Sequence, residues 1–251
     1  MKTKNLVRVL TATVFLSGAL TSTAIAQNLN AAQAVITSAV QSNQDPITVV
    51  PFEFDPNGSN LVRARWMTGL GCPTNVTVFD FFGNPNTVMD TACTSGDSKD
   101  KQNEGLLLVK TGPSVQNFAA AGARLEGVKG TVLTELGYDL RKPVAATDPR
   151  GSHCGAGAPR FNVVTSDGVN HFVGCNSPPA VLSSSSSSWI RLRWTAVELA
   201  LAFPPILTVN TVSSITIIFD EGTDTGPDNF GLAVLDNVDV NTKLAGRGPG
   251  S

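Results

Sequence analysis

The sequence predicts an all-β fold, a jelly-roll-like β-sandwich of two antiparallel sheets. Three observations carry this expectation. About ten short stretches alternate in polarity or are rich in β-branched and aromatic residues. Turn formers recur between them, with 23 glycines and 15 prolines in 251 residues. No segment sustains a helical period, and no internal repeat of fixed length is present. Short strands with frequent turns are the pattern of sandwiches and jelly rolls.

The amino end comes before that pattern. Lys2, Lys4 and Arg8 precede an uncharged run over 9–20, and Ala24-Ile25-Ala26 follows. This order of positive, apolar and small residues predicts a secretory signal peptide over 1–26, cleaved before Gln27. Its apolar run is shorter than the roughly 20 residues that cross a bilayer. Residues 27–44 are polar and Ala-rich, a lead-in that is either a short helix or loose chain. After Pro46 the texture turns to β, and one domain is expected over 45–245.

Within that domain, 47–54 is extended, and Pro51 assigns it to a sheet edge or a bulge. Residues 61–67 set Val62, Ala64 and Trp66 against Arg63 and Arg65. Residues 76–82 are β-branched and aromatic, and 82–102 is a long turn-rich loop. Further strands are expected over 106–110, 123–128 and 131–141. The clearest local signal is a hairpin, 161–165 and 170–173 around the tight-turn pair Asp167-Gly168. Ser183 to Ser188, six serines in succession, reads as a flexible loop inside the domain. Residues 189–195 alternate strictly, with Trp189, Arg191 and Arg193 on one face and Ile190, Leu192 and Trp194 on the other. Two last strands, 209–220 and 230–240, flank an acidic loop, and 246–251 reads as a flexible tail. No stretch after the signal is long and apolar enough to span a membrane; Glu198, Pro204 and Pro205 interrupt the most apolar one.

The chain carries 18 basic and 20 acidic residues. Cleavage would remove three basic residues and no acidic ones, leaving 15 against 20, a net charge of about −5. Nucleic acid is therefore not an expected partner, since it selects basic stripes. The four cysteines, Cys72, Cys93, Cys154 and Cys175, are an even set in an exported chain and predict two disulfides. Three pairings are open. Neighbour pairing is favoured because it closes two loops that each span 21 positions. Chain-entropy arguments give each bridge about 3 kcal/mol. No C-x-x-C is present to suggest a metal site instead.

Candidate chemistry lies in several places. The loop over 220–229 carries Asp220, Glu221, Asp224 and Asp228. Clustered carboxylates on a turn suit calcium, which takes six to eight oxygens, although the order is not that of an EF-hand. The same residues are also ordinary turn formers. Trp189 with Arg191 and Arg193 is a candidate sugar platform: the indole face stacks on a pyranose, and guanidinium groups bond hydroxyls or uronate carboxylates. The alternative is packing and cross-strand pairing. His153 and His171, with Asp148 or Asp167, are weak zinc candidates without a short-spaced motif, and surface histidines are the simpler expectation. No G-x-S-x-G is present.

Phe52-Glu53 near the start of the domain and the closing Leu235-Asp236-Asn237-Val238 resemble the end strands of secreted galactose-binding-like jelly rolls, the fold of many carbohydrate-binding modules. The stretch over 155–161 resembles that of an uncharacterised secreted bacterial family. The first resemblance implies that the first and last strands pair and that Glu53 and Asp236 hold a structural calcium. Three functions follow as expectations. The favoured one is an exported non-catalytic module, secreted to the extracellular space or periplasm, binding carbohydrate or a cell-surface component. The second is a secreted polysaccharide hydrolase working through two carboxylates. The third is a surface or matrix protein that associates with itself.

Overall fold

In the computed structural model, residues 46–115, 117–143, 151–155, 158–226 and 229–249 are described. The expected signal peptide over 1–26 and the lead-in over 27–44 lie outside the described residues, as do Asp148 and Asp228.

The alternating stretches form strands, in chain order β1 (Thr48–Phe54), β2 (Val62–Thr68), β3 (Val76–Phe79), β4 (Pro85–Val88), β5 (Glu104–Lys110), β6 (Ala120–Glu126) and β7 (Glu135–Arg141). A 3₁₀ turn over Gly151–Cys154 leads to β8 (Arg160–Thr165), β9 (Asn170–Gly174), β10 (Val181–Ser185) and β11 (Trp189–Thr195). One helical turn, α1 (Ala196–Leu199), precedes β12 (Val212–Phe219), β13 (Leu232–Val240) and β14 (Lys243–Ala245). α1 begins with a capping box in which Thr195 and Glu198 satisfy each other's backbone N–H groups.

Two large antiparallel sheets result. One runs β1-β6-β12-β8-β9; the other runs β10-β11-β7-β13-β5-β2, with β14 added to β13. β3 and β4 make a separate two-stranded hairpin. β1 is an edge strand, so the ring nitrogen of Pro51 interrupts no ladder between two neighbours. The hairpin of β8 and β9 turns at Gly168, whose φ of +82° suits glycine.

Period-2 alternation sends one face of each sheet inward. Ala121, Ala123, Leu125, Phe161, Val163, Ile215, Ile217 and Phe219 from the first sheet join Leu136, Tyr138, Leu140, Ile190, Leu192, Trp194 and Leu235 from the second in one core. Tyr138, Phe161 and Trp194 form an aromatic trio at its centre, with ring centroids 5.3–5.8 Å apart. Their buried polar atoms are satisfied: the Tyr138 hydroxyl donates to the Pro159 carbonyl at 2.7 Å and the Trp194 indole to Pro178 at 2.9 Å.

Cys72 pairs with Cys93 and Cys154 with Cys175, with Cα separations of 5.8 and 5.1 Å, in the neighbour order. The first bridge closes the segment over 71–103 on itself, and that segment packs on the outer face of the larger sheet. There Cys72, Ala92, Cys93, Trp189 and Val234 make a second small apolar cluster with Leu70, Leu107 and Leu232.

Several expectations are corrected. The serine tract is an edge strand and tight turn: Ser184 and Ser185 pair with β11 around a bulge, and the Ser184 hydroxyl donates to the Ala92 carbonyl at 2.7 Å. The tail is docked over 246–248, where the buried Gly248 N–H donates to Glu104 at 3.0 Å. Both histidines are buried, with His153 at 0 % and His171 at 2 % exposure. His171 bonds Thr165 and the Pro204 carbonyl, and His153 bonds the Ser188 carbonyl, so they serve separate backbone segments.

Candidate functional site

The outward face of the five-stranded sheet carries a groove of about 500 Å³. On β1, alternation turns Phe52 and Phe54 outward. On β6 the facing positions are Ala120 and Gly122, and small residues keep the floor low. A Cβ on Gly122 would stand 2.7 Å from the Phe52 ring, so the glycine is what lets that ring lie across β6. β12 contributes Ile218, and the loop after it contributes Asp220 and Glu221. β8 contributes Asn162, and the loop before β6 adds Ser114, Asn117 and Phe118. Phe54 is 52 % and Phe118 75 % exposed, so two rings stand at the rim.

The polar groups are held in place. Arg160 grips Asp220 through two hydrogen bonds of 2.6 and 2.7 Å. Burial pushes the Asp220 carboxyl up, but the hydrogen bonds and charge of Arg160 outweigh it and hold the group below the usual carboxylate range. Beneath them the buried Lys110 ammonium donates to the carbonyls of Asn117 and Asp220 at 2.9 and 2.7 Å, tying the two loops together. Glu221 accepts from the hydroxyls of Ser114 and Thr225. The Asn162 Oδ1 atom is buried without a hydrogen-bond partner, an acceptor whose desolvation is not offset within the chain.

The acidic loop therefore packs against the segment after β5. Asp224 accepts from the Ser114 N–H at 2.7 Å, and this bond is the main cause of its lowered pKa. With Asp220 in an ion pair and Asp224 on backbone N–H groups, the described carboxylates of the loop do not gather round one point. Among the described residues, the one group of three or more acidic, Cys or His side chains with ligand atoms within 4.8 Å is Cys72, Asp90 and Cys93, two of them bonded to each other. Glu53 and Asp236 are not brought together either. β1 borders β6 in one sheet, while β13 lies between β7 and β5 in the other, so the first and last strands do not pair. Glu53 accepts from the Ala64 N–H and faces Arg63; Asp236 accepts from the Cys72 N–H at 2.7 Å. These residues do not fit the calcium expected of them.

Trp189, Arg191 and Arg193 do share a face, but it is covered by the 71–103 segment. Trp189 is 2 %, Arg191 6 % and Arg193 9 % exposed. The indole packs in the second apolar cluster, which corrects the sugar-platform expectation. Arg191 makes two 2.7 Å bonds to Asp139 and also reaches Ser95 in the covering segment. Arg193 Nε lies 2.9 Å from Asp239 and 3.9 Å from Glu135. It crosses β7 over Gly137, where a Cβ would sit 2.5 Å from its side chain. Burial pushes the Asp236 carboxyl well up, and Asp139 nearby adds to this. Burial also pushes Asp239 up, to about 7; Arg193 opposes the shift and Glu135 reinforces it. This face is a buried charge network that anchors the disulfide-bound segment.

In the sequence, Phe52 stands out only as the neighbour of Glu53. Period-2 alternation within 48–54 already places Phe52 and Phe54 on one side. The partners Phe118, Asn162 and Ile218 come from remote segments and carried no local signal. No family model, curated protein or solved structure matches the chain.

Proposed function

We propose that this protein is an exported, non-catalytic β-sandwich module that binds carbohydrate in the groove across its five-stranded sheet. The observation that carries the reading is the groove itself, in which phenylalanine rings face amide, hydroxyl and carboxylate groups. A sugar ring has an apolar face of C–H groups and an edge of hydroxyls. Phe54 and Phe118 suit the first, and Asn162, Asp220 and Glu221 suit the second. The segment over 1–26 and the two cysteine pairs support export to an oxidising compartment. The state of the groove carboxylates supports binding over hydrolysis. Asp220 is held ionised by Arg160 and is unsuited to act as general acid, and Glu221 is occupied by two hydroxyl donors.

The test is a glycan array probed with the full chain and with Phe54→Ala, alongside a reducing-sugar assay on each glycan retained. Binding that Phe54→Ala abolishes, with no sugar released, is expected. Sugar release that Glu221→Gln abolishes would replace this reading with the hydrolase.

A further inference from the structure

Among the described residues, β3 and β4 are the strands that neither large sheet absorbs. The burial of their hairpin is slight on both faces, and a lone two-stranded hairpin is marginal in water. It is nonetheless tethered at its base by Cys72–Cys93. Its side chains are conspicuously apolar: Phe79 is 69 %, Phe81 97 %, Phe82 84 % and Met89 55 % exposed, with Val78 and Val88 partly so. At about 200 Å² per aromatic side chain, the exposed parts of Phe79, Phe81 and Phe82 come to roughly 500 Å² of apolar surface around the hairpin tip. That is at the upper end of the ~300–600 Å² found for the largest patch on a monomer, and the backbone edge of β3 adds to it toward the ~800 Å² each partner gives to a stable interface.

The two edges of the hairpin differ. β4 carries Pro85, which blunts an edge by removing a donor. β3 reads Val76-Thr77-Val78-Phe79, with neither proline nor charge, and among the described residues no strand but β4 pairs with it. Pro85 stands opposite Phe79 and has no N–H, so that pair is a non-hydrogen-bonded one. Antiparallel alternation makes Thr77↔Thr87 another such pair. Thr77 and Phe79 therefore turn their N–H and C=O groups to the open edge.

We propose that β3 is a dimerisation edge that pairs antiparallel with β3 of a second copy about a twofold axis at Val78. In that register Thr77 of each copy exchanges backbone hydrogen bonds with Phe79 of the other, and two hairpins become one four-stranded sheet. Antiparallel pairing also places each Phe81–Phe82 tip beside the base of the opposite hairpin. A crevice of about 270 Å³ lies there, with Pro73, Val76, Val78, Val88 and Trp189 on its apolar side and Asp90, Asn103, Arg141 and Ser188 on its polar side. The unprotected edge selects a second copy over other occupants, because a twofold-related β3 satisfies its outward N–H and C=O groups in register; the apolar side of the crevice then receives part of the opposite tip.

The test is sedimentation velocity of the full chain over a hundredfold range of concentration. A monomer–dimer equilibrium is expected, lost in Phe81→Asp and in Thr77→Pro, which removes an outward N–H but none used within the hairpin. Both variants should keep the wild-type melting midpoint, since the hairpin lies outside the core. A wild-type chain that stays monomeric throughout, or a dimer that survives both substitutions, overturns the proposal. So does a monomer that co-sediments with neutral phosphatidylcholine vesicles through Phe81, which would assign the tip to a lipid surface.

Discussion

Replacing Trp189 by alanine separates a buried anchor from a ligand platform. The side chain is 2 % exposed and packs on the Cys72–Cys93 bridge, Ala92 and Val234. Truncating a buried tryptophan costs about 3–5 kcal/mol from lost transfer energy and the cavity left behind. Trp189 also borders the crevice at the base of the β3–β4 hairpin, so water can enter the space vacated and the lower end applies. For a domain of this size, a urea dependence of about 2–3 kcal/mol per molar makes ~3 kcal/mol a midpoint shift of about 1–1.5 M. The assay is urea unfolding followed by far-UV circular dichroism, with disulfides intact and the slope held in common. Glycan binding should survive in the folded fraction. A shift below about 0.3 M together with loss of binding would refute the burial argument and restore Trp189 as a surface residue.

Other expectations follow from the same geometry. Arg191→Met removes the bidentate partner of the buried Asp139, leaving it Asn237 and, at 3.9 Å, Arg193, and should cost about 3 kcal/mol in the same urea assay, while Arg63→Met, at an exposed pair, should cost under about 1 kcal/mol. Asp239, raised to about 7, holds its proton more tightly folded than unfolded, so its contribution is complete below pH ~4 and is lost as pH rises through about 7. At 1.36 kcal/mol per pH unit this has an upper bound of about 4 kcal/mol. Asp239→Asn should flatten the fall in melting midpoint between about pH 4 and about pH 7, the window between its unfolded and folded values, and an unchanged slope would count against it. Peptide mapping without reduction should recover Cys72 with Cys93 and Cys154 with Cys175, and crossed peptides would contradict the fold.

What was legible in the sequence was local. β11, with seven alternating residues, and the β8–β9 hairpin were readable because period 2 and an Asp-Gly turn are contained within a few positions. β4, β10 and β14 were missed because Pro-Asn-Thr-Val, Val-Leu-Ser-Ser-Ser and a three-residue pair look like turn or linker until a neighbouring strand supplies the ladder. The alternation of 189–195 identified the face that carries Trp189, but not its cover. That cover is the disulfide-bound segment, about 90 positions earlier, and the contact of Arg191 with Ser95 has no local signature. The acidic loop is legible as a loop, but the partners of Asp220 and Asp224, Arg160 and Ser114, belong to other strands and turns and have no local signature.

The central claim is that ligand meets the five-stranded sheet and not the face bearing Trp189. The most direct measurement is amide chemical-shift mapping of the full chain, titrated with the oligosaccharide that the glycan array retains most strongly. The shifts should gather at Phe52, Phe54, Ala120, Asn162 and Asp220, with Trp189, Arg191 and Arg193 unmoved. Shifts centred on Trp189, or no saturable shift with any retained glycan, would contradict the claim.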